Sequence, residues 1–493
     1  MPDPTDLISR AQGTRVVVIG GSVAGLVAAL ECAKVGMEVT LLEATDRLGG
    51  EVESVDLDGV RVDVMVDTFA AGGATLRALV RDLGLESRLA PAVEPVRAVS
   101  GADGVHLLPA ATVLGIPANA WDPAVRCIIG WRGVWRAYLD RLRPPLTIGH
   151  QRNLGALVRA RMGDRVAERM VAPVTRGVLG LEPDRVDVEA VAPGLGTALT
   201  RTGSLAGAVD ALDREGTRET LEGGVAALVD ALVDALTAYA VPVRRDAPVT
   251  ELARDGDRWR ILVDAPDAAA SGDAAGDVEA DEVAADPSTS VLRADVIVMA
   301  SGAPDARRLL SDEIELPALA SATAHDVVLL RGDLPLAPGQ QVFPRGSAGA
   351  VLVEGIAVPE HSRTAASEGI ARVVLTGSGR AEIDAIADAL HALAEAVSRP
   401  VPPDAVSVAV HRSVVRTARG ELDQRPRTDD VRAASRSVPA LAFVGAAIVG
   451  GDLRDVVEDA VTEIGRVRRA ALWGDDAVAV DDAGSSGSPA GAS

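Results

Sequence analysis

The sequence predicts an α/β fold: a parallel sheet with flanking helices, its chain interrupted by a second, α+β domain. Three observations carry this. Arg15 to Glu43 reads as strand, glycine turn, helix, strand and acid in unbroken order. A second strand-turn-helix, built from Leu441–Val444, Gly445 and Val456–Arg469, stands near the C-terminus. Between them lie long stretches whose patterns alternate with periods of two and 3.6 residues. The first unit is expected from residues 13–75, 215–310 and 405–470, and the inserted unit from 76–214 and 311–404.

Arg15–Ile19 is a β-branched run, as a buried strand requires. Gly20-Gly21-Ser22-Val23-Ala24-Gly25 is the turn, and Val23–Val35 has the length and composition of a helix. Its free first-turn N–H groups and positive dipole would face the strand tip, a place for a pyrophosphate lying on Gly20, Gly21, Ser22, Ala24 and Gly25. Gly36 stops the helix as a cap. Met37–Leu42, the second strand, delivers Glu43, whose carboxylate can accept both hydroxyls of a ribose. This much fits NAD and FAD alike. Arg47-Leu48-Gly49-Gly50 then adds a second glycine pair, with Arg47 able to reach a phosphate.

A chain of 493 residues buries large cores, and with 48% hydrophobic and 2% aromatic residues those cores are built mainly from Val, Leu, Ile and Ala. The net charge of −22 argues against nucleic acid as a partner and against simple electrostatic binding to an anionic bilayer. Twelve of the acids fall in 264–290 and 475–493, which carry no Lys or Arg. These two segments are expected to be a disordered acidic insert and a disordered tail. Two cysteines make no disulfide framework, and six scattered histidines make no metal cluster. Met1–Arg10 lacks the basic and apolar regions of a signal peptide. The longest clean apolar run, Leu441–Gly451, is too short to span a bilayer, so a cytoplasmic protein without a transmembrane segment is expected.

Further elements follow in order. Val52–Leu57 and Val60–Val66 alternate about Asp58-Gly59, a hairpin signal. Thr75–Leu83 reads as an amphipathic helix and Val96–Leu108 as two short strands. Ala124–Arg143 is helical, with Trp131, Trp135 and Tyr138 along one face among several arginines. An aromatic face packed in a satellite core is the weightier reading of that stripe; a substrate-access or membrane-grazing surface is the other. Val225–Tyr239 is a long helix. Val241–Val243, Val249–Leu252, Trp259–Val263, Val291–Met299, Val373–Thr376 and Val406–Val410 are strands, with a helix over Ala381–Val397.

Ala44 to Gly50 resembles the second fingerprint of the flavin amine oxidase superfamily, and from about residue 15 to 470 the chain is similar to its bacterial protoporphyrinogen and coproporphyrinogen oxidases. The resemblance runs through Asp58-Gly59 to Phe69, Val96-Arg97 to Pro109, Val113 to Pro117, Trp131-Arg132-Gly133, Gly177 to Arg185, Leu221-Glu222-Gly223-Gly224 and Pro439 to Glu458. It implies an FAD-binding, Rossmann-like domain of the GR2 type and an inserted substrate domain. It also implies a flavin that takes hydride at N5 from a porphyrinogen carbon, with dioxygen as final acceptor, in porphyrin and heme biosynthesis. The cofactor would carry the chemistry, which suits a sequence without a nucleophile, metal site or acid/base pair. By position, Arg97 would hold a substrate propionate, although it reads equally as a surface arginine on a strand edge. His106 matches a family position but reads more readily as a strand-end histidine. Val249 would give its backbone to adenine, and Gly445 and Asp452 belong to the closing FAD segment.

Six positions depart from the family pattern. Ser22 and Met65 stand in place of glycines that approach the cofactor, and Leu181 in place of a substrate-side glycine. Glu51 replaces an arginine, at a cost of about 1–3 kcal/mol if its charge faces phosphate. Ala446 replaces an asparagine. Asp452 replaces a glycine near the flavin pyrimidine, where an anion would oppose a reduced ring. These departures keep two alternatives open: another flavin oxidoreductase acting on an amine or a polyene, and a non-catalytic paralogue that binds FAD weakly or not at all.

Overall fold

A computed structural model describes residues 4–101, 103–142, 151–212, 218–264, 289–334, 336–345, 349–356 and 368–473. Most of the predicted acidic insert and of the predicted tail, 265–288 and 474–493, lie outside them.

Five short strands form a parallel sheet in the order Val243–Arg244, Glu38–Leu42, Arg15–Ile19, Val296–Met299 and Leu441–Phe443. The central Arg15–Ile19 pairs with a neighbour on each side, Val18 with Leu41 and with Val298. It is covered on both faces, which is why four of its five residues are apolar and buried. Helix Val23–Ala33 buries every residue but Glu31. It can be apolar all round because the helices Ala227–Ala238 and Leu453–Trp473 pack against it. Gly36, at φ +86°, ends it as expected, with Met37 N donating back to the Cys32 carbonyl.

The stretch read from sequence as one strand, Val291–Met299, is two. Thr289–Ala294 joins Val249–Asp255 and Arg258–Asp264 in an antiparallel sheet around the fully buried Trp259, and Val296–Met299 joins the parallel sheet. Asp295 makes the break: its carboxylate accepts from Arg15 N at 2.8 Å and pairs with Arg258 at 3.1 Å.

The second large sheet has seven strands in the order Val406–Thr417, Ala322–Asp333, Glu368–Thr376, Ala350–Ile356, Gln340–Phe343, Val96–Gly101 and Gly104–Leu107. Side chains alternate between its faces. Val327 and Leu329 pack with the helices of residues 123–211, while Val328 and Leu330 pack under Glu382–Ala396. Val406–Thr417 therefore does not run with the parallel sheet, as a unit spanning 405–470 would require. Eleven of its twelve residues pair with Ala322–Asp333, and this carries Thr417, Ala418 and Arg419 up to the parallel sheet's closing turn.

Helix Pro123–Tyr138 carries the aromatic stripe, broken by Gly130 at φ +68°. Its buried side is aliphatic, Val125, Ile128, Ile129, Val134 and Ala137. Trp131 and Trp135 are 58% and 57% exposed, so the satellite-core reading does not hold. The rings pack edge-on with Trp121, at 5.0 Å for Trp135, and Arg126 lies over Trp131. Among the described residues no helix is long and apolar enough to cross a membrane.

Candidate cofactor and substrate site

The first strand ends at Ile19, and the chain turns sharply because Gly20 can adopt φ +110°. A Cβ there would lie 2.8 Å from the Ala300 carbonyl; one at Gly25 would lie 2.0 Å from the Gly20 oxygen. Strand tip, turn and helix are thus packed to backbone contact, which only glycine permits. Gly21 N donates to Glu43 Oε2 at 2.7 Å, and Glu43 Oε1 accepts from Thr45 N at 3.0 Å and its Oγ1 at 2.8 Å. The predicted ribose acid is therefore oriented by the glycine loop itself. Oε2, which accepts the Gly21 bond alone, keeps a lone pair for a ligand hydroxyl.

Ser22 does not crowd this loop with its hydroxyl. The Oγ donates to the Ala300 carbonyl at 3.0 Å and accepts from Gly25 N at 3.4 Å, so it caps the helix from inside. The second glycine pair lies alongside: Gly49 N donates to the Gly21 carbonyl at 2.8 Å, and a Cβ at Gly50 would sit 3.0 Å from that of Ser22. Arg47 donates to the Gly50 carbonyl at 2.9 Å and pairs with Glu53 at 3.4 Å. In this arrangement it braces the pair instead of extending toward a phosphate. Gly445, at φ +104°, closes the groove from the last strand, where an added Cβ would meet that of buried Ala24 at 3.0 Å. Segment 244–247 runs beside Glu43, with Ala247 N donating to the Glu43 carbonyl at 2.9 Å. Val249 follows, buried, its carbonyl accepting from Arg308 Nη2 at 3.0 Å. These residues fit the adenosine and pyrophosphate parts of a dinucleotide.

Beyond Gly50 the groove is lined by charge. Glu51 Oε1 accepts from Thr417 N at 2.9 Å and from its hydroxyl. Burial pushes this carboxyl above its ordinary range against those bonds and the nearby Arg416. The side chain is thus tied to the second sheet and burial disfavours its charge, so the expected repulsion of phosphate loses its basis. Asp452 caps the C-terminal helix through Arg454 N at 3.1 Å and pairs with Arg419 at 2.8 Å and Arg218 at 3.5 Å. Burial works to raise the Asp452 carboxyl, but Arg419 and Arg218 outweigh it and hold it below the usual range. Gly451 lies against Thr417, where a Cβ would come within 2.6 Å of the carbonyl.

A polar chain continues along the second sheet. Buried Arg372 bridges Asp67 and Glu354, each at 2.9 Å. Glu354 accepts from Gln341 at 2.8 Å, and Arg97 Nε donates to Gln341 Oε1 at 3.3 Å. Arg97 is half-buried on this wall, not free on a strand edge. His106 sits on the outer strand and pairs with Asp103 at 3.2 Å, apart from that chain of contacts. Met65 is half-buried against the helical core and Leu181 is buried. Sequence reasoning missed Arg218, Arg416, Arg419 and Arg372. It also missed Asp63, which accepts from Val225 N at 2.7 Å and Ala226 N at 3.2 Å and so caps the long helix after Gly223-Gly224. An ionisable residue inside an apolar strand, as Arg372 is in Ile370–Thr376, was the one available signal.

Comparison with known proteins agrees with this geometry. A family described as flavin containing amine oxidoreductase matches residues 23–463. The chain is 26% identical to coproporphyrinogen III oxidase of Propionibacterium freudenreichii subsp. freudenreichii, over 96% of this chain and 95% of that one. It is 27% identical to coproporphyrinogen III oxidase of Bacillus subtilis (strain 168), in a match covering 50% of this chain and 56% of its relative. Among solved structures, a protein of Exiguobacterium sp. 255-15 named as a candidate protoporphyrinogen oxidase shares the fold with a TM-score of 0.76, at 22% identity, over 92% of this chain and 98% of that one. Cyclohexylamine oxidase from Brevibacterium oxydans IH-35A shares it with a TM-score of 0.57, at 14% identity, over 92% and 99%. With that pattern matched over most of its length, the chain belongs to the flavin containing amine oxidoreductase family.

Proposed function

We propose that the protein is an FAD-dependent oxidase of the porphyrinogen type, acting on a carboxylated tetrapyrrole of the coproporphyrinogen or protoporphyrinogen class. The observation that carries the cofactor reading is the single line of groups from Glu43 through Gly21, Ser22, Gly49 and Gly50 to Gly445. The near full-length similarity to a coproporphyrinogen III oxidase supports the substrate class.

When bound, FAD supplies a two-electron acceptor: a hydride leaves a ring carbon of the substrate, and dioxygen takes the electrons onward as hydrogen peroxide. The chain's own residues bind and orient. Glu43 would take the adenosine ribose, and the amides of the first helical turn the pyrophosphate. The strand at Val249 would border adenine, and Arg97 would receive a substrate carboxylate from the seven-stranded wall. Aliphatic residues of the helical segment 154–211, among them Leu181, Leu195 and Leu205, form the apolar core behind that wall.

The test is direct. The purified protein should show the visible absorbance of bound oxidised flavin, directly or after reconstitution with FAD. It should then release hydrogen peroxide when coproporphyrinogen or protoporphyrinogen is added. A colourless protein that cannot be reconstituted would refute the cofactor assignment. A flavoprotein inert to both substrates would refute only the substrate class.

A further inference from the structure

Three guanidinium groups, Arg416 and Arg419 from one segment and Arg218 from another, lie near one another beyond Gly50. Arg419 Nη2 lies 2.8 Å and Arg218 Nη1 3.5 Å from the same oxygen of Asp452. Arg218 also donates to Thr68 Oγ1 at 2.9 Å and the Thr68 carbonyl at 2.8 Å. Arg416 stands close by, donating to the Gly177 carbonyl at 2.8 Å and to that of Val178.

The carboxylates facing this cluster are Asp452, Glu51 and Asp67. Asp67 pairs with Arg372 at 2.9 Å, and Glu51 is bonded to Thr417 and pushed toward its neutral form by burial. Asp452 is thus shared by two cations, and the cluster carries surplus positive charge. The arginines register it. Burial first, and then the like charge of Arg419, lowers the basicity of both Arg218 and Arg416, the latter to about 10. Cations forced together in a partly desolvated groove are stabilised by an added anion.

The place of this surplus matters. It borders the first turn of the helix Leu453–Trp473, whose amide at Arg454 is already taken by Asp452. A helix that elsewhere would offer its dipole to a ligand is here capped by its own acid, and the positive charge comes from the arginines.

We propose that Arg419, seconded by Arg218, takes up the negative charge that a flavin ring gains on reduction, and that Asp452 offsets part of the charge of this pair. The inference rests on the FAD reading above. A hydride delivers two electrons and one proton from the substrate carbon, so the ring gains one unit of negative charge, spread over its N–C=O edge. A cation at that edge makes the change more favourable.

Sulfite tests this without turnover, because its addition to oxidised flavin puts negative charge on the same edge. In protein reconstituted with FAD, Arg419→Ala should weaken sulfite binding by about tenfold or more, equivalent to about 1.4 kcal/mol. Arg419→Lys should keep most of the affinity. Asp452→Asn, which frees both arginines, should tighten sulfite binding by a similar factor. If Arg419→Ala does not retain FAD, Asp452→Asn decides alone. Unchanged sulfite affinity in the variants that hold FAD would overturn the inference. So would a raised KM for substrate in Arg419→Ala with sulfite binding intact, since the cluster would then serve a substrate carboxylate. Wild-type protein that never binds FAD would instead overturn the reading beneath it.

Discussion

The carboxylate of Glu51 accepts a hydrogen bond from the backbone nitrogen of Thr417 at 2.9 Å, tying the residue after the second glycine pair to the last residue of the second sheet's edge strand. Because burial raises the Glu51 carboxyl, the folded chain holds its proton more tightly than the unfolded one does. Its contribution to stability is complete below the ordinary carboxyl range and is lost as pH rises through the raised value. Glu51→Gln keeps an acceptor for Thr417 and removes the charge. It should raise stability at neutral pH and flatten the decline that sets in as pH rises above the ordinary carboxyl range, as read by thermal unfolding at acidic and neutral pH. Glu51→Arg, which the family pattern would suggest as a repair, loses both Thr417 bonds and brings a cation toward Arg416. The expected result is a lower melting temperature than wild type.

Trp259 and Trp135 make a matched pair for testing where the aromatic residues matter. Trp259 is fully buried between strands, with Arg254 over its ring at 4.9 Å, whereas Trp135 is 57% exposed. Trp259→Ala should cost about 3–5 kcal/mol. Trp135→Ala should cost less than about 1 kcal/mol, mainly its edge-to-face packing on Trp121. Urea unfolding of the two variants would check this, and equal losses would contradict the exposed placement of the stripe.

How far the fold was legible follows from the range of the interactions that make it. The unit from Arg15 to Glu43 is local: a β-branched run, glycines at forced turns and one apolar helix declare themselves within thirty residues. The helices Leu154–Met162 and Leu205–Ala211 were not legible, because each is short and its buried face is diluted by Gly155 and Arg161 in the first and by Ala206 and Ala208 in the second. Gln424–Ser437 escaped notice for the opposite reason, being mostly polar with a proline near its start. At the site, Glu43 and the glycines could be read because the ligand's geometry spaces them along the chain. Asp452 could be read only as a misplaced anion. Its partners Arg218 and Arg419 lie on other elements, and no periodicity links residues that meet only after folding. The same holds for Glu51 and Thr417.

Asp326 is the acid-sensitive point of the second sheet. It is fully buried and pairs with Arg380 and His411, each at 3.1 Å. Burial alone would raise its carboxyl, but hydrogen bonds from Ser413, His411 and Arg380 outweigh it and hold the value at about 2. A carboxyl depressed on folding contributes stability that is present above its unfolded value of about 3.9 and lost as pH falls toward the depressed one. Wild type should therefore lose stability between about pH 4 and pH 2, and Asp326→Asn should lose less over that interval. At neutral pH the same variant should be about 3 kcal/mol less stable, since Arg380 loses a buried partner. Chemical denaturation at the two pH extremes separates these effects, and parallel slopes for both proteins would remove Asp326 from the account.

Arg97 is the strongest test of the substrate wall. Its Nε reaches Gln341, which also bonds Glu354, so the side chain is steered within a polar chain that ends at Arg372 and Asp67. If it receives a propionate, Arg97→Ala removes binding shared by ground and transition states. KM should then rise by about three- to tenfold with kcat little changed. Arg97→Lys keeps the charge but loses the planar fork, and should fall between the two. A merely structural role predicts another pattern: lower thermal stability and equal losses in kcat and kcat/KM. Comparing the four-carboxylate coproporphyrinogen with the two-carboxylate protoporphyrinogen completes the test. A KM penalty of Arg97→Ala confined to coproporphyrinogen assigns the contact to a carboxylate that protoporphyrinogen lacks, an equal penalty assigns it to one that both carry, and no KM penalty with either places Arg97 outside the site.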